Sequence, residues 1–173
     1  MNAKLAADTV VKTPAETKKV NFIFDNELGS GETISSVISC VVYPSGELTA
    51  NGVESDTIVQ VSLVGGLSET AFVIAAAGAT FTATAHLLSN DHPVHVIADD
   101  ANDVPTGLDV DEQYYIVNAA ANSFQLALTP DGDAVTTTGA GQGTVGVDYR
   151  ITAKISTSNN QVIVGEGICQ VRS

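Results

Sequence analysis

The feature that most constrains the fold is the alternation of residue types along the last part of the chain. Residues 149–171 read YRITAKISTSNNQVIVGEGICQV, and their first half alternates apolar with polar or charged side chains. A period of two is the pattern of a β-strand buried on one face. Residues 158–160, Ser-Asn-Asn, have turn chemistry because Asn tolerates left-handed backbone angles. We therefore predict a long closing β-hairpin, with a bulge at residues 165–167 that shifts the buried positions to Cys169 and Val171.

Similar alternation marks the segment between residues 20 and 66. Val20, Phe22 and Phe24 share one parity, and comparable patterns cover residues 33–43 and 58–63. Residues 48–53 have a weaker pattern that suits a short edge strand. Together with the closing hairpin, this gives about six strands in roughly 75 residues, which is typical of an antiparallel β-sandwich. The sequence therefore predicts an all-β outer domain made from residues 20–66 plus 148–173.

Residues 67–147 have a different composition. They contain ten acidic residues and no basic residue. Surface loops accept insertions because the entropic cost of loop closure grows slowly with length. We therefore predict an inserted acidic β domain, forming a small β-barrel or sheet. Its strand patterns lie at residues 80–85, 93–98, 114–118, 124–128, 135–138 and 144–147.

Residues 1–19 show little periodicity and are rich in lysine. They hold four of the seven basic residues of the chain, Lys4, Lys12, Lys18 and Lys19. We predict an extended N-terminal arm that binds the acidic surface of a neighbouring subunit through these lysines. Plain disorder is the alternative interpretation.

The charge distribution argues against two classes of partner. The formal net charge is −13, and no basic residue lies between Val20 and Tyr149. Binding to nucleic acid requires a basic stripe that neutralises phosphates, and anionic membrane surfaces attract basic segments. No apolar run reaches about 18 residues, and the N-terminus lacks the apolar core of a signal peptide. We expect neither nucleic acid nor a membrane as a partner.

Histidine, cysteine and acidic residues are the candidates for a metal site. His92 and His95 would point to opposite faces of a strand, and His86 lies beyond the preceding strand. Residues 99–112, DDANDVPTGLDVDE, are rich in the oxygen ligands that calcium prefers, although their spacing differs from an EF-hand. We favour a solvated acidic loop and leave calcium open. Cys40 and Cys169 are interpreted as buried free thiols, with a disulfide as the alternative.

The sequence lacks the familiar signatures of catalysis. It has no GxSxG motif and no glycine-rich loop followed by lysine, and the glycine-rich residues 139–143 lie between predicted strands. We therefore expect that the protein is not an enzyme and has no cofactor and no metal.

Several segments carry a resemblance to known proteins. They are VNFIFDNELGSGETI at residues 20–34, VSLVGG at 61–66 and YRITAKISTSNNQ at 149–161. In combination they resemble the fibre–tail adaptors, a family of small virion proteins of tailed bacteriophages. Residues 79–96 and 107–132 are similar to a β module found within assorted phage structural proteins. The resemblance implies an immunoglobulin-like β-sandwich for the outer domain, with the phage β module inserted into it.

The resemblance also implies a function. We expect a non-enzymatic virion protein, located in the virion, that attaches tail-fibre or neck and tail components to the particle. Its partners would be other virion proteins, namely portal or adaptor, nozzle, fibre or capsid proteins, and it would form a homo-oligomer. A capsid decoration protein is one alternative, and a glycan- or cell-surface-binding module is another. Ring symmetry of about six or twelve copies would favour the adaptor.

Overall fold

The computed structural model describes residues 3–98 and 104–172, and within these ranges it describes side chains from Thr9 onward. The described residues form twelve β-strands and no helix, which confirms the predicted all-β fold of the β-sandwich type. By compactness the chain divides into an outer unit, Met1–Gly66 with Tyr149–Arg172, and a barrel unit, Leu67–Asp148. The strands are β1 Ala3–Lys12, β2 Lys18–Ile23, β3 Ile34–Tyr43, β4 Leu48–Ser55, β5 Ile58–Gly65, β6 Thr70–Ile74, β7 Phe81–Thr82, β8 Pro93–Ile97, β9 Gln113–Ala120, β10 Ser123–Ala127, β11 Gly141–Thr157 and β12 Val162–Val171.

The outer unit is one mixed sheet in the order β4-β5-β2-β1-β12-β11, with β3 paired to β11. Its buried side chains follow the predicted alternation, since Phe22, Val61 and Ile151 are fully buried. β3 also packs against β4: a Cβ built on Gly52 of β4 would lie 2.5 Å from the Sγ of Cys40 on β3. Glycine at this position therefore allows the two strands to approach closely.

The N-terminal segment differs from the predicted arm. β1 pairs in parallel with β12, where Val10 lies opposite Cys169, and antiparallel with β2, where Leu5 lies opposite Phe22. This strand satisfies backbone groups of β2 and β12 that would otherwise form open edges. The parallel pairing also makes the sheet mixed, whereas the sequence predicted a purely antiparallel one. The lysine-rich composition concealed a short alternation that ends with Val10 buried and Val11 exposed.

The closing hairpin has the predicted turn and a different register. Asn160 adopts a φ of 60°, and its N–H donates to the carbonyl of Thr157 at 2.9 Å. Gly165, Cys169 and Val171 all lie on the buried parity, so no shift occurs at residues 165–167. The irregularity lies instead in β1, where the pairing with β12 shifts between Lys4 and Thr9. Between these two positions β1 has more residues than the facing part of β12, so the bulge lies in the N-terminal strand.

The barrel unit is a closed antiparallel ladder. The strands follow the order β11-β6-β7-β10-β9-β8, and β8 pairs back to the first part of β11. Its centre holds Phe72, Phe81 and Phe124, with ring centroids 5.1 to 6.2 Å apart. Residues 135–138 contribute one isolated bridge and no strand, Thr137 pairing with Gly78. Among the described residues each strand of the barrel unit therefore pairs with a neighbour on both sides, although β6 and β7 are joined only at Val73 and Thr82.

Candidate interaction surfaces

The four lysines predicted to bind a partner lie in different environments. Lys12 is buried, and its Nζ donates to the carbonyl oxygens of Thr13 and Gly65, each at 2.6 Å. Burial lowers the pKa of Lys12 below its ordinary value. This side chain holds the end of β5 against β1. It does not present its charge to a partner, which corrects the prediction for this residue.

The other three lysines belong to strands. The Nζ of Lys18 lies 3.6 Å from a carboxylate oxygen of Glu16, with both side chains partly exposed. Lys19 is exposed on β2. Lys4 occupies a position in β1 opposite Glu166 of β12. These residues are therefore parts of the sheet, and a role in binding a partner stays a prediction.

The acidic loop predicted at residues 99–112 is described from residue 104 onward, and residues 99–103 lie outside the described ranges. Asp109, Asp111 and Glu112 are exposed. The N–H of Asp109 donates to the hydroxyl oxygen of Tyr114 at 2.8 Å, and the N–H of Asp111 donates to Oδ1 of Asp109 at 2.9 Å. Val110 between them is 44% exposed. This hydrogen-bonded turn thus exposes three carboxylates and one apolar side chain within four consecutive residues.

The histidines are bonded within the barrel unit. Nδ1 of His95 lies 2.8 Å from Oδ1 of Asp148, and both side chains are buried. The N–H of Ser89 donates to Nδ1 of His92 at 3.4 Å. In the described part of the chain, no group of three His, Cys, Asp or Glu residues is placed to hold a metal ion. His92 precedes β8 and is buried, so the assumption that both histidines belong to one strand was wrong.

His86 connects a loop to the aromatic core. Its Nε2 lies 3.1 Å from the carbonyl oxygen of Ser123, and its ring meets the Phe124 ring edge-on at 5.4 Å. It also borders two surface depressions of about 510 and 470 Å³. Residues 67–71 and 84–87 line the first, and residues 86–90 and 119–121 line the second.

The two cysteines are free thiols, as the sequence predicted, but only Cys169 is buried, and Cys40 is partly exposed. Burial raises the pKa of Cys169 to about 11 and raises that of Cys40 as well. Because the thiolate is the reactive form, both thiols stay protonated at neutral pH and are poor nucleophiles. They act as small apolar side chains in the outer unit.

The exposed side of β3 and β11 combines cations with large apolar side chains. In the antiparallel pair, Arg150 lies opposite Tyr43 and Lys154 lies opposite Ser39, so their side chains share one side of the sheet. The guanidinium of Arg150 lies 5.8 Å from the centre of the Tyr43 ring. Tyr43 and Val41 remain 45% and 54% exposed. We call these five residues the β3–β11 face.

The β3–β11 face was not predicted, although one signal for it is present in the sequence. Arg150 and Lys154 have the same strand parity, opposite to buried Ile151 and Ala153. Two cations on the exposed parity of one strand mark a basic surface in an acidic chain. Their partners Val41 and Tyr43 could be identified only from the strand pairing.

Comparison with family models, curated proteins and solved structures gave no match. No helix that could cross a membrane occurs among the residues that the structure describes.

Proposed function

We propose that this chain is a non-enzymatic structural protein of a bacteriophage virion, acting as an adaptor that attaches tail-fibre or neck and tail components to the particle. Its partners would be other virion proteins, and it would act as a homo-oligomer in the particle. The proposal starts from the resemblance of residues 20–34, 61–66 and 149–161 to the fibre–tail adaptors.

One structural observation supports it most. Two of the resembling segments lie far apart in sequence and are joined by hydrogen bonds. The hydroxyl of Thr157 donates to Oε1 of Glu32, the N–H of Ser158 donates to the carbonyl of Thr33 at 2.9 Å, and the N–H of Thr33 donates to Oγ of Ser158 at 3.2 Å. The residues that carry the resemblance thus stabilise one corner of the outer unit together.

The third resembling segment is joined to the first in the same way. β5, which contains the VSLVGG residues, pairs with β2 along its length, and Val61 lies opposite Val20. A shared sheet built from all three segments is what a common outer domain requires. The barrel unit is then an addition between β5 and the second part of β11, and it begins after Gly65 and Gly66, which have positive φ angles.

Disruption of the gene in the phage genome that encodes this chain tests the proposal. An adaptor predicts filled heads without attached fibres or tail components in electron micrographs, with the phenotype rescued by the wild-type chain. Complete but unstable heads would favour a capsid decoration protein instead. Particles of normal composition and infectivity would contradict both virion roles.

A glycan- or cell-surface-binding module remains the alternative outside the virion scaffold. The depression lined by residues 67–71 and 84–87 offers Ser68, Thr70 and His86 as hydrogen-bonding groups. Phe, Tyr and Trp, the side chains on which sugars commonly stack, are absent from its described lining. A glycan array on the purified chain tests this alternative, and specific binding to one sugar class would support it.

A further inference from the structure

The two units of this chain differ sharply in charge. All seven basic residues belong to the outer unit, which also has nine acidic residues, for a formal charge of −2. The barrel unit has eleven acidic residues and no basic one, for a formal charge of −11. Opposite charges attract over about one Debye length, roughly 8–10 Å at moderate salt. The exposed cations of one copy therefore favour an approach to the barrel unit of another.

The β3–β11 face has the properties of a docking surface. Arg150 and Lys154 are exposed, and within the described side chains neither forms an ion pair. Val41 lies opposite Thr152, between the two cations, and Tyr43 lies opposite Arg150. Both side chains are exposed. Glu166 on the adjoining strand β12 is exposed as well and lowers the net positive charge of this region. A surface of cations and apolar side chains is complementary to a partner surface of carboxylates and apolar side chains.

The loop at residues 109–112 has that complementary composition. Asp109, Asp111 and Glu112 flank Val110 in sequence, and all four side chains are exposed. Its turn is held by the hydrogen bonds from Asp109 to Tyr114 and from Asp111 to Asp109. A preorganised loop loses little conformational freedom on binding. It can offer three acceptors and one apolar side chain to a basic, apolar surface.

We propose that the β3–β11 face of one copy of this chain binds the acidic loop at residues 109–112 of a second copy. The contact joins two different surfaces, so it is heterologous, and repetition produces a closed ring or an open filament. The inference rests on charge and exposure and is independent of the proposed virion role. A chain that associates in this way would support it even if no phage particle contained the chain.

Sedimentation velocity of the full chain over a hundredfold concentration range tests the proposal. At about 50 mM salt, the mean mass is expected to rise with concentration, and at about 500 mM salt it is expected to remain that of a monomer. The double variant R150E/K154E reverses the face, and D111K/E112K reverses the loop while keeping Asp109. Each variant alone is expected to associate at least tenfold more weakly than the wild type.

Mixing the two variants is the sharper test. The acidic face of R150E/K154E is complementary to the basic loop of D111K/E112K. The unchanged loop of the first variant and the unchanged face of the second are complementary as in the wild type. An equimolar mixture is therefore expected to regain salt-sensitive association. The control R172E changes an exposed arginine outside both surfaces, with half the change in net charge of R150E/K154E, and is expected to associate like the wild type.

Three results would overturn the proposal: a wild-type mass that does not rise with concentration at low salt, reversed variants that associate like the wild type, or a mixture that stays monomeric. Circular dichroism of each variant checks that it is folded. If R150E/K154E unfolds, the neutral variant R150Q/K154Q is used instead. If D111K/E112K unfolds, the neutral variant D111N/E112Q is used instead. Each neutral variant is expected to weaken association by a smaller factor, and wild-type association in either would count against the proposal.

Discussion

The outer unit and the barrel unit share a fold class but differ in surface charge and in the side chains that fill them. Cations occur in the outer unit alone, and the barrel unit is uniformly acidic. The outer unit buries mostly aliphatic residues on long strands, such as Val59, Val61 and Leu63 of β5, whereas the barrel unit centres on three phenylalanines. Buried and less buried residues alternate along β5 of the outer unit, whereas β8 of the barrel unit buries four consecutive residues, 93–96.

The largest expected effect is the loss of an aromatic core residue, which tests whether the two units unfold separately. Phe124 is fully buried and contacts Phe72, Phe81 and His86. Phe124→Ala is expected to destabilise the barrel unit by about 3–5 kcal/mol, because it removes buried area and leaves a cavity. Calorimetry of the full chain should show one transition moved to lower temperature while a second transition stays in place.

The matched variant in the outer unit is Phe22→Ala, since Phe22 is also fully buried. It should move the transition that Phe124→Ala leaves in place. If both variants lower a single common transition by similar amounts, the chain is one cooperative body and the comparison between two units fails.

A smaller effect is expected where the chain passes from β5 toward the barrel unit. Gly65 has a φ of +84°, and a Cβ there would lie 2.5 Å from the carbonyl oxygen of Glu47. Gly65→Ala is expected to cost about 2–3 kcal/mol, because it combines an unfavourable backbone conformation with a steric clash. Urea unfolding measures the cost. Gly46→Ala is the control, since Gly46 also has a positive φ but nothing lies within 4 Å of its Cβ position. Equal losses in both variants would show that the clash is unimportant.

The buried pair His95 and Asp148 is expected to contribute a further increment to the barrel unit. Asp148 accepts from His95 at 2.8 Å and lies 3.5 Å from the Nε2 of Gln113. Asp148→Ala should cost about 1–3 kcal/mol, because it leaves the buried imidazole of His95 without this acceptor. Asp148→Asn keeps one carbonyl oxygen and should cost less. Thermal unfolding of both variants checks the order, and an equal or larger loss for Asn would contradict this role of the carboxylate.

The smallest effect concerns the pH dependence of the outer unit. The hydroxyl of Thr157 and then the N–H of Gly29 donate to the carboxylate of Glu32, and these bonds lower its pKa. A folded pKa below the unfolded one adds stability above the unfolded pKa, and this stability is lost as the pH falls through the folded pKa. The wild type should therefore exceed Glu32→Gln in stability near neutral pH, by a margin that shrinks on acidification.

Urea unfolding of both proteins between about pH 7 and pH 3 measures that margin. Glu27→Gln, in the same loop, serves as a control for the change in net charge. A margin that is constant across the whole range would show that ionisation of Glu32 does not contribute to the stability of this corner.

The sequence predicted the strands well where one face of the sheet is buried and the other is exposed to solvent. Residues 149–157 could be predicted as a strand because every second side chain is buried, and the turn at Asn160 followed from residue chemistry. The N-terminal strand was predicted as an arm, because its pairing with β12 depends on a partner more than 150 residues away. Local periodicity carries no information about such a pairing.

The candidate surfaces were predictable to a lesser degree. The exposed acidic residues at 109–112 could be identified from composition alone. The β3–β11 face could not, because Tyr43 and Arg150 become neighbours only when two distant strands pair in a particular register. The same holds for His95 and Asp148, which lie 53 residues apart. The burial of Lys12 was missed because lysine is rarely buried without partners, and its two carbonyl acceptors come from the fold.

The most direct test of the virion role is a count of copies per particle. Purified particles from the phage that encodes the chain would be digested and quantified by mass spectrometry against isotope-labelled peptides of this sequence, with the portal protein as an internal standard. The adaptor role predicts about six or twelve copies per particle, in keeping with the symmetry of a tail-associated ring. Absence of the chain from purified particles would contradict the account.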